Sequence, residues 1–189
     1  MEQLPAQQMT TAMLKAMAHP LRRRILAVFP RLEHVRAADL SEELDEPANK
    51  ISFHLRVLAD AGLLVEAPEH ARDRRDRVWK ARRGALEIGS AGSPVADPSL
   101  ADAVIAAYVD EHNDIMRRLL ARMPAYLAGA EPEPHASFMR NRVKLRPAAF
   151  EALLETLARA ILDAQEAADD DDPDARVYDI DILAADDAP

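Results

Sequence analysis

The side chains of Asn49, Ser52, Phe53 and Arg56 are spaced so that a helix turning about 100° per residue gathers them on one arc. Asparagine bonds the edge of adenine, and arginine that of guanine, in two-pronged fashion, with about 1–3 kcal/mol of discrimination per pair. Phe53 suits the methyl group of thymine or packing on a neighbouring side chain. Lys50 and the hydroxyl of Ser52 suit phosphate oxygens, contacts that fix register without reading sequence. A second basic set follows, Arg72, Arg74, Arg75 and Arg77, interleaved with Asp73 and Asp76. A guanidinium matches a phosphate with two parallel hydrogen bonds. The plainer alternatives are a solvated helix face for the first set and a self-neutralised charged hairpin for the second.

The first set needs a helix and the second a turn, and the flanking residues provide both. Ile51, Leu55 and Leu58 occupy the arc opposite the polar set and must be the buried face, because a buried serine or arginine would be costly. This helix is expected to start near Pro47, to be capped by Asp45 and to end at Gly62. His54, at the edge of the buried arc, is expected to pack or to bond a phosphate rather than to ligate a metal. Residues 37–44 read as a helix one short turn earlier, which is helix-turn-helix spacing. Residues 63–66 and 77–80 read as short strands joined by the arginine loop, with Trp79 anchoring the hairpin on the core. Upstream, residues 9–18 form a helix with Met9, Met13 and Met17 on one stripe, ended by His19-Pro20. Residues 21–29 form another, with Ile25 and Val28 inward and Pro30 as the stop.

Two glycines and two prolines in 89–98 mark a linker. A long helix over 99–127 is expected next, capped by Ser99 and bent near Pro124; it and the methionine stripe are expected to pair subunits. In 138–145, apolar Met139, Val143 and Leu145 alternate with basic residues that continue to Arg146, the pattern of a strand. Pro147 opens a helix with Phe150, Leu153, Leu154, Leu157, Ile161 and Leu162 as its stripe. The acidic run 169–172 reads as a solvated loop. In 177–183, Tyr178, Ile180 and Ile182 alternate with Asp179 and Asp181. Basic and acidic strands suit each other as neighbours, at about 0.2–1 kcal/mol per pair, and their helical connection predicts a parallel pair with a right-handed crossover. The expected fold class is mainly α with small β (α+β). The expected divisions are a winged helix-turn-helix domain over 1–88, a linker over 89–98, a dimerisation helix over 99–128 and a β-α-β effector or dimer-stabilising unit over 136–185.

Composition agrees with this reading. Apolar residues make up 49% of the 189 residues and aromatics only 4%, a balance that favours helices with aliphatic cores. There is no cysteine, hence no disulfide, thiolate metal site or cysteine nucleophile. No apolar run approaches the roughly 20 residues of a membrane span, and residues 1–5 lack the pattern of a signal peptide, so a soluble cytoplasmic protein is expected. The net charge of −9 is unevenly spread. Residues 1–95 carry 15 Lys and Arg against 13 Asp and Glu, residues 96–189 carry 9 against 20, and residues 47–83 carry 9 against 5. With a screening length of about 8 Å at physiological salt, the local basic patch outweighs distant acidic residues.

Leu14-Lys15-Ala16-Met17-Ala18-His19-Pro20-Leu21-Arg22-Arg23-Arg24-Ile25-Leu26 resembles the opening of the ArsR-type winged helix-turn-helix regulators. Ala38-Asp39-Leu40 through Leu44, then Ile51-Ser52-Phe53-His54-Leu55, Leu58 and Ala61-Gly62-Leu63, is similar to their two-helix core. The likeness covers about residues 12–82. It implies a homodimer that binds operator DNA and usually represses transcription. The chain departs from the family's pattern at Asp45-Glu46, where glycine and an apolar residue are usual, and at Phe53, where a polar or basic residue is commoner. Family members that sense metals use cysteines on the helix at 37–44, or an Asp-x-His set completed further along the dimer helix. Here Asp110 and His112 have the first spacing, but Met123 and Tyr126 stand at the later positions, and two ligands do not close a zinc site that wants four.

The expected function is therefore a sequence-specific DNA-binding transcriptional regulator. A homodimer on double-stranded DNA, with half-sites about 34–36 Å apart on a pseudo-palindromic site, is what the resemblance implies. No cofactor is expected, and an unknown small-molecule effector stays open as a partner. No serine has a recognisable paired histidine and acid, and the five glycines form no phosphate-binding loop, so no enzymatic activity is expected. Two other classes stay open: a winged helix that binds protein rather than DNA, and a metal-responsive sensor built around Asp110 and His112.

Overall fold

The computed structural model describes residues 7–82, 86–89, 93–130, 137–168, 172 and 174–186; residues 1–5 and, apart from Asp172, the acidic run 169–172 lie outside the described residues. The chain divides into two units, Met1–Asn113 and Asp114–Pro189. The elements of the first are β1 (Gln7–Gln8), α1 (Thr11–Met17), α2 (Pro20–Leu26), α3 (Ala37–Leu44), α4 (Ala48–Asp60), β2 (Leu64–Glu66), β3 (Trp79–Ala81) and β4 (Leu86–Glu87). A long helix, α5 (Pro98–Leu127), begins in the first unit and ends in the second, which also holds α6 (Pro147–Ala167). The fold is mixed α with small β, as the sequence patterns predict.

The apolar periodicities account for the core of the first unit. Leu14, Ile25, Leu40, Ile51, Leu55 and Leu58 are all essentially inaccessible, so α1 to α4 each contribute a stripe to one cluster. Met9, Met13 and Met17 are buried in that same cluster. The methionine stripe is thus core of its own chain and not a surface for pairing subunits, because α1 spends its apolar side on α2 and α4. The start of α5 closes the cluster with Val104 and, at its margin, Leu100 and Tyr108.

Several helix ends differ from expectation: α1 begins at Thr11 and not Met9, α2 stops at Leu26 and not Phe29, and the starts of α4 and α5 are capped by other residues. Asp45 does not cap α4; it ends α3 in the left-handed conformation (φ 52°, ψ 49°), and Pro47 takes the cap position of α4. Only two residues, Asp45 and Glu46, lie between the end of α3 and Pro47, so the chain must reverse at once. The left-handed region does this, and aspartate is among the few non-glycine residues that visit it. Ser41 fastens the turn by donating its hydroxyl to the Glu46 carbonyl at 2.7 Å. In α5, Asp97 rather than Ser99 is the cap, its Oδ1 accepting from the Leu100 amide at 3.1 Å, since Pro98 occupies the first helical position that proline favours. Gly62 ends α4 as expected, at φ +78°, with the Leu63 amide donating back to the Leu58 carbonyl.

The hairpin strands β2 and β3 pair antiparallel, Leu64 opposite Ala81 and Glu66 opposite Trp79. Val35 adds a third rung: its amide and carbonyl both exchange hydrogen bonds with Trp79 at 2.9 Å. β1 pairs parallel with β4. Gln8 also bonds Ser93 by its side chain, so part of the glycine- and proline-rich segment is tied to the first unit.

In the second unit α6 forms where its stripe predicts. The expected flanking strands do not: neither 138–145 nor 177–183 belongs to a strand. Met139, Val143 and Ile180 are largely exposed. Two-residue alternation makes a segment fit a sheet but cannot form one without a neighbouring ladder. Asp179 bonds Arg118 instead of a basic residue of 140–146. Among the described residues of this unit only Leu119 is buried.

Candidate nucleic-acid interface

One side of α4 is fixed by packing, and this defines the other. With Ile51, Leu55 and Leu58 at zero exposure, Asn49, Lys50, Phe53 and Arg56 are all exposed and Ser52 is half-buried. Several of these side chains already have local partners. Asn49 Oδ1 accepts from the Lys50 amide at 2.8 Å. Lys50 Nζ donates to Glu46 at 2.8 Å. The Ser52 hydroxyl donates to the Ala48 carbonyl at 2.8 Å, so its proton is engaged and a phosphate contact would have to displace that bond. Arg56 Nε donates to the Ser52 carbonyl at 3.2 Å, which lays the guanidinium along the exposed face. Phe53 is 55% exposed and meets His54 edge-on, with ring centroids 5.3 Å apart.

The arginine loop between β2 and β3 is wound around its two aspartates. Asp73 Oδ1 accepts from the amides of Arg75 and Asp76, and Asp76 Oδ2 accepts from the amide of Arg72 and the guanidinium of Arg36. These bonds draw the Asp76 carboxyl below its ordinary range, the Arg72 amide being the largest cause. Arg72, Arg74 and Arg75 are exposed, while Arg77 stands 3.8 Å from Glu66. The aspartates therefore shape the loop. They do not pair with the side chains of Arg72, Arg74 or Arg75 in any of the ion pairs of the described residues.

Sequence reasoning missed Arg36 and the contact between His54 and His19. Arg36, one residue before α3, carried no periodic or motif signal. His54, expected at the edge of the buried arc, is 5% exposed, its buried Nδ1 has no hydrogen-bond partner among the described residues, and its ring centre is 4.6 Å from that of His19. His19 in turn caps α2, its Nδ1 accepting from the Leu21 amide at 3.2 Å. Burial lowers the pKa of both rings; nearby Arg22 adds to this in each case, and each His54 proton is further opposed by His19 and Lys50, with partial relief from Glu46.

That pair is expected to make folding stability acid-sensitive. Because both histidines hold protons less tightly when folded, the unfolded chain binds more protons once the pH falls below the ordinary histidine value of about 6.5. Stability is then complete above that value and declines as the pH drops from it toward the lowered native values. Urea midpoints measured from pH 7.5 to 5 should fall across the acidic half of the range, and His54→Asn should flatten the fall. A midpoint constant over this interval would contradict the assignment.

Among the described residues no group of three or more histidine, cysteine or carboxylate side chains is placed to hold a metal, Asp110 and His112 included. No described helix is long and apolar enough to cross a membrane. Residues 17–67, from the end of α1 through β2, match the family model of a helix-turn-helix domain. No curated protein matches the chain. The matched span holds α3, the left-handed turn and α4, which are the two helices and turn that such a domain requires, with a β hairpin directly after them. The chain thus carries a helix-turn-helix DNA-binding domain of the winged-helix type, the kind found in transcriptional regulators.

Proposed function

We propose that the protein is a cytoplasmic, non-enzymatic transcriptional repressor that binds a pseudo-palindromic operator as a homodimer. The observation that carries this reading is the two-sidedness of α4: its buried face is saturated by the core, and its other face offers Asn49, Lys50, Phe53 and Arg56 to a partner. Asn49 and Arg56 read base edges, Phe53 meets thymine methyls, and Lys50 and Ser52 hold phosphates. Arg72, Arg74, Arg75 and Arg77 grip the flanking backbone. Subunits pair through α5, where Ile105 and Val109, one turn apart, are about half exposed. The C-terminal part, 136–185, serves as an effector or dimer-stabilising unit.

Salt dependence tests the reading. Each phosphate neutralised contributes a slope of about −0.9 to the dependence of log affinity on log salt. The protein should show a steep slope on duplex DNA, and Arg74→Ala/Arg75→Ala should make it shallower by about 1.8, two phosphates' worth. Failure to bind any duplex, or binding indifferent to salt, would favour a winged helix that recognises protein.

A further inference from the structure

We infer that Arg36 is the residue that positions the wing: it fixes the arginine loop against the start of the helix-turn-helix, so that Arg74 and Arg75 meet DNA in register with α4. The inference rests on the DNA-binding reading of that loop.

Three sets of contacts converge on it. The Arg36 amide donates to Asp39 in the first turn of α3 at 2.8 Å, which anchors its backbone to the helix-turn-helix. Its guanidinium crosses to the loop, Nε donating to Asp76 Oδ2 at 3.0 Å and Nη2 to the His70 carbonyl at 2.8 Å. Neighbouring groups reinforce the crossing: Val35 pairs with Trp79, and the His34 ring stacks on that of His70 with centroids 3.7 Å apart. Asp76 is the junction, since the same oxygen that takes Arg36 also takes the Arg72 amide at 2.8 Å. Both side chains of the pair are mostly buried, at 22% and 18% exposure, unlike the other ion pairs of the loop. A charge-assisted, partly desolvated bond of this kind holds geometry better than a solvated one. Loop residues that touch a ligand are effective when a rigid scaffold sets their place, and a misplaced phosphate contact is lost outright.

Asp76→Asn gives the sharpest test, because charge alone and positioning predict opposite signs. Removing a negative charge from a DNA-facing loop should by itself tighten binding. Removing the junction should instead loosen the loop and make the salt slope on mixed-sequence duplex shallower by about 1–2. Arg36→Gln should do the same, and in an Arg74→Ala/Arg75→Ala background it should change little further, since a residue that acts through those arginines has nothing left to position. Full loss in that background would mean that Arg36 touches DNA directly, which overturns the assignment; tighter binding by Asp76→Asn also overturns it. Amide hydrogen exchange on the free full-length protein supplies an arm that needs no DNA. The amides of Arg72 and Asp76 should exchange faster in Arg36→Gln while those of α4 keep their protection. Unchanged exchange refutes the positioning role even if the protein proves not to bind DNA, and a wild-type protein that ignores duplexes refutes the proposed function while this arm still reads the loop.

Discussion

Replacing Trp79 with alanine is expected to destabilise the first unit by about 3–5 kcal/mol, the usual cost of truncating a buried tryptophan. The position is demanding for two reasons. Its side chain, 5% exposed, belongs to the core cluster with Leu63 and Leu64. Its backbone is the middle rung of the small sheet, bonded to Val35 on one side and opposite Glu66 on the other. Alanine leaves the rung but removes the core volume that anchors the hairpin on the first unit. Urea unfolding followed by far-ultraviolet circular dichroism measures the loss, since Trp79 is the single tryptophan and its fluorescence vanishes with it. Trp79→Phe keeps an aromatic ring and should lose less. A change under 1 kcal/mol for alanine would show that the ring rests on the surface of the core and not in it.

The second large effect concerns Arg56 and separates two kinds of contact. Arg56→Ala should cost about 1–3 kcal/mol on the preferred duplex and relax the preference at one base position in each half-site. The salt slope should hardly move. Lys50→Ala should weaken all duplexes alike and make the slope shallower by about 0.9. Selection from a random duplex library with each variant reads both outcomes. The roles rest on position along α4: Arg56 lies along the exposed face with Nε on the Ser52 carbonyl, whereas Lys50 sits at the start of the helix beside Glu46. Neither substitution touches the buried arc, so both variants should melt as the wild type does. Base preferences that survive Arg56→Ala unchanged would remove it from the reading set.

The amino-acid sequence by itself determined the two faces of α4, the order of helices before it, the hairpin after it and the concentration of arginines at the hairpin tip. Those properties are local, because the 3.6-residue and two-residue periods of the backbone sort side chains into faces without reference to the rest of the chain. Only the tertiary structure decided matters that depend on residues far apart. Asp45 became a left-handed hinge because α3 and α4 had to pack on one core. The methionine stripe, indistinguishable in sequence from an interface, was consumed by α2 and α4. His54 met His19, and Arg36 met Asp76 across 40 positions of sequence, with no motif to announce either contact. The alternating segments at 138–145 and 177–183 show the limit from the other direction: alternation says which face of a strand would be buried, but a strand exists only when another backbone offers it hydrogen bonds.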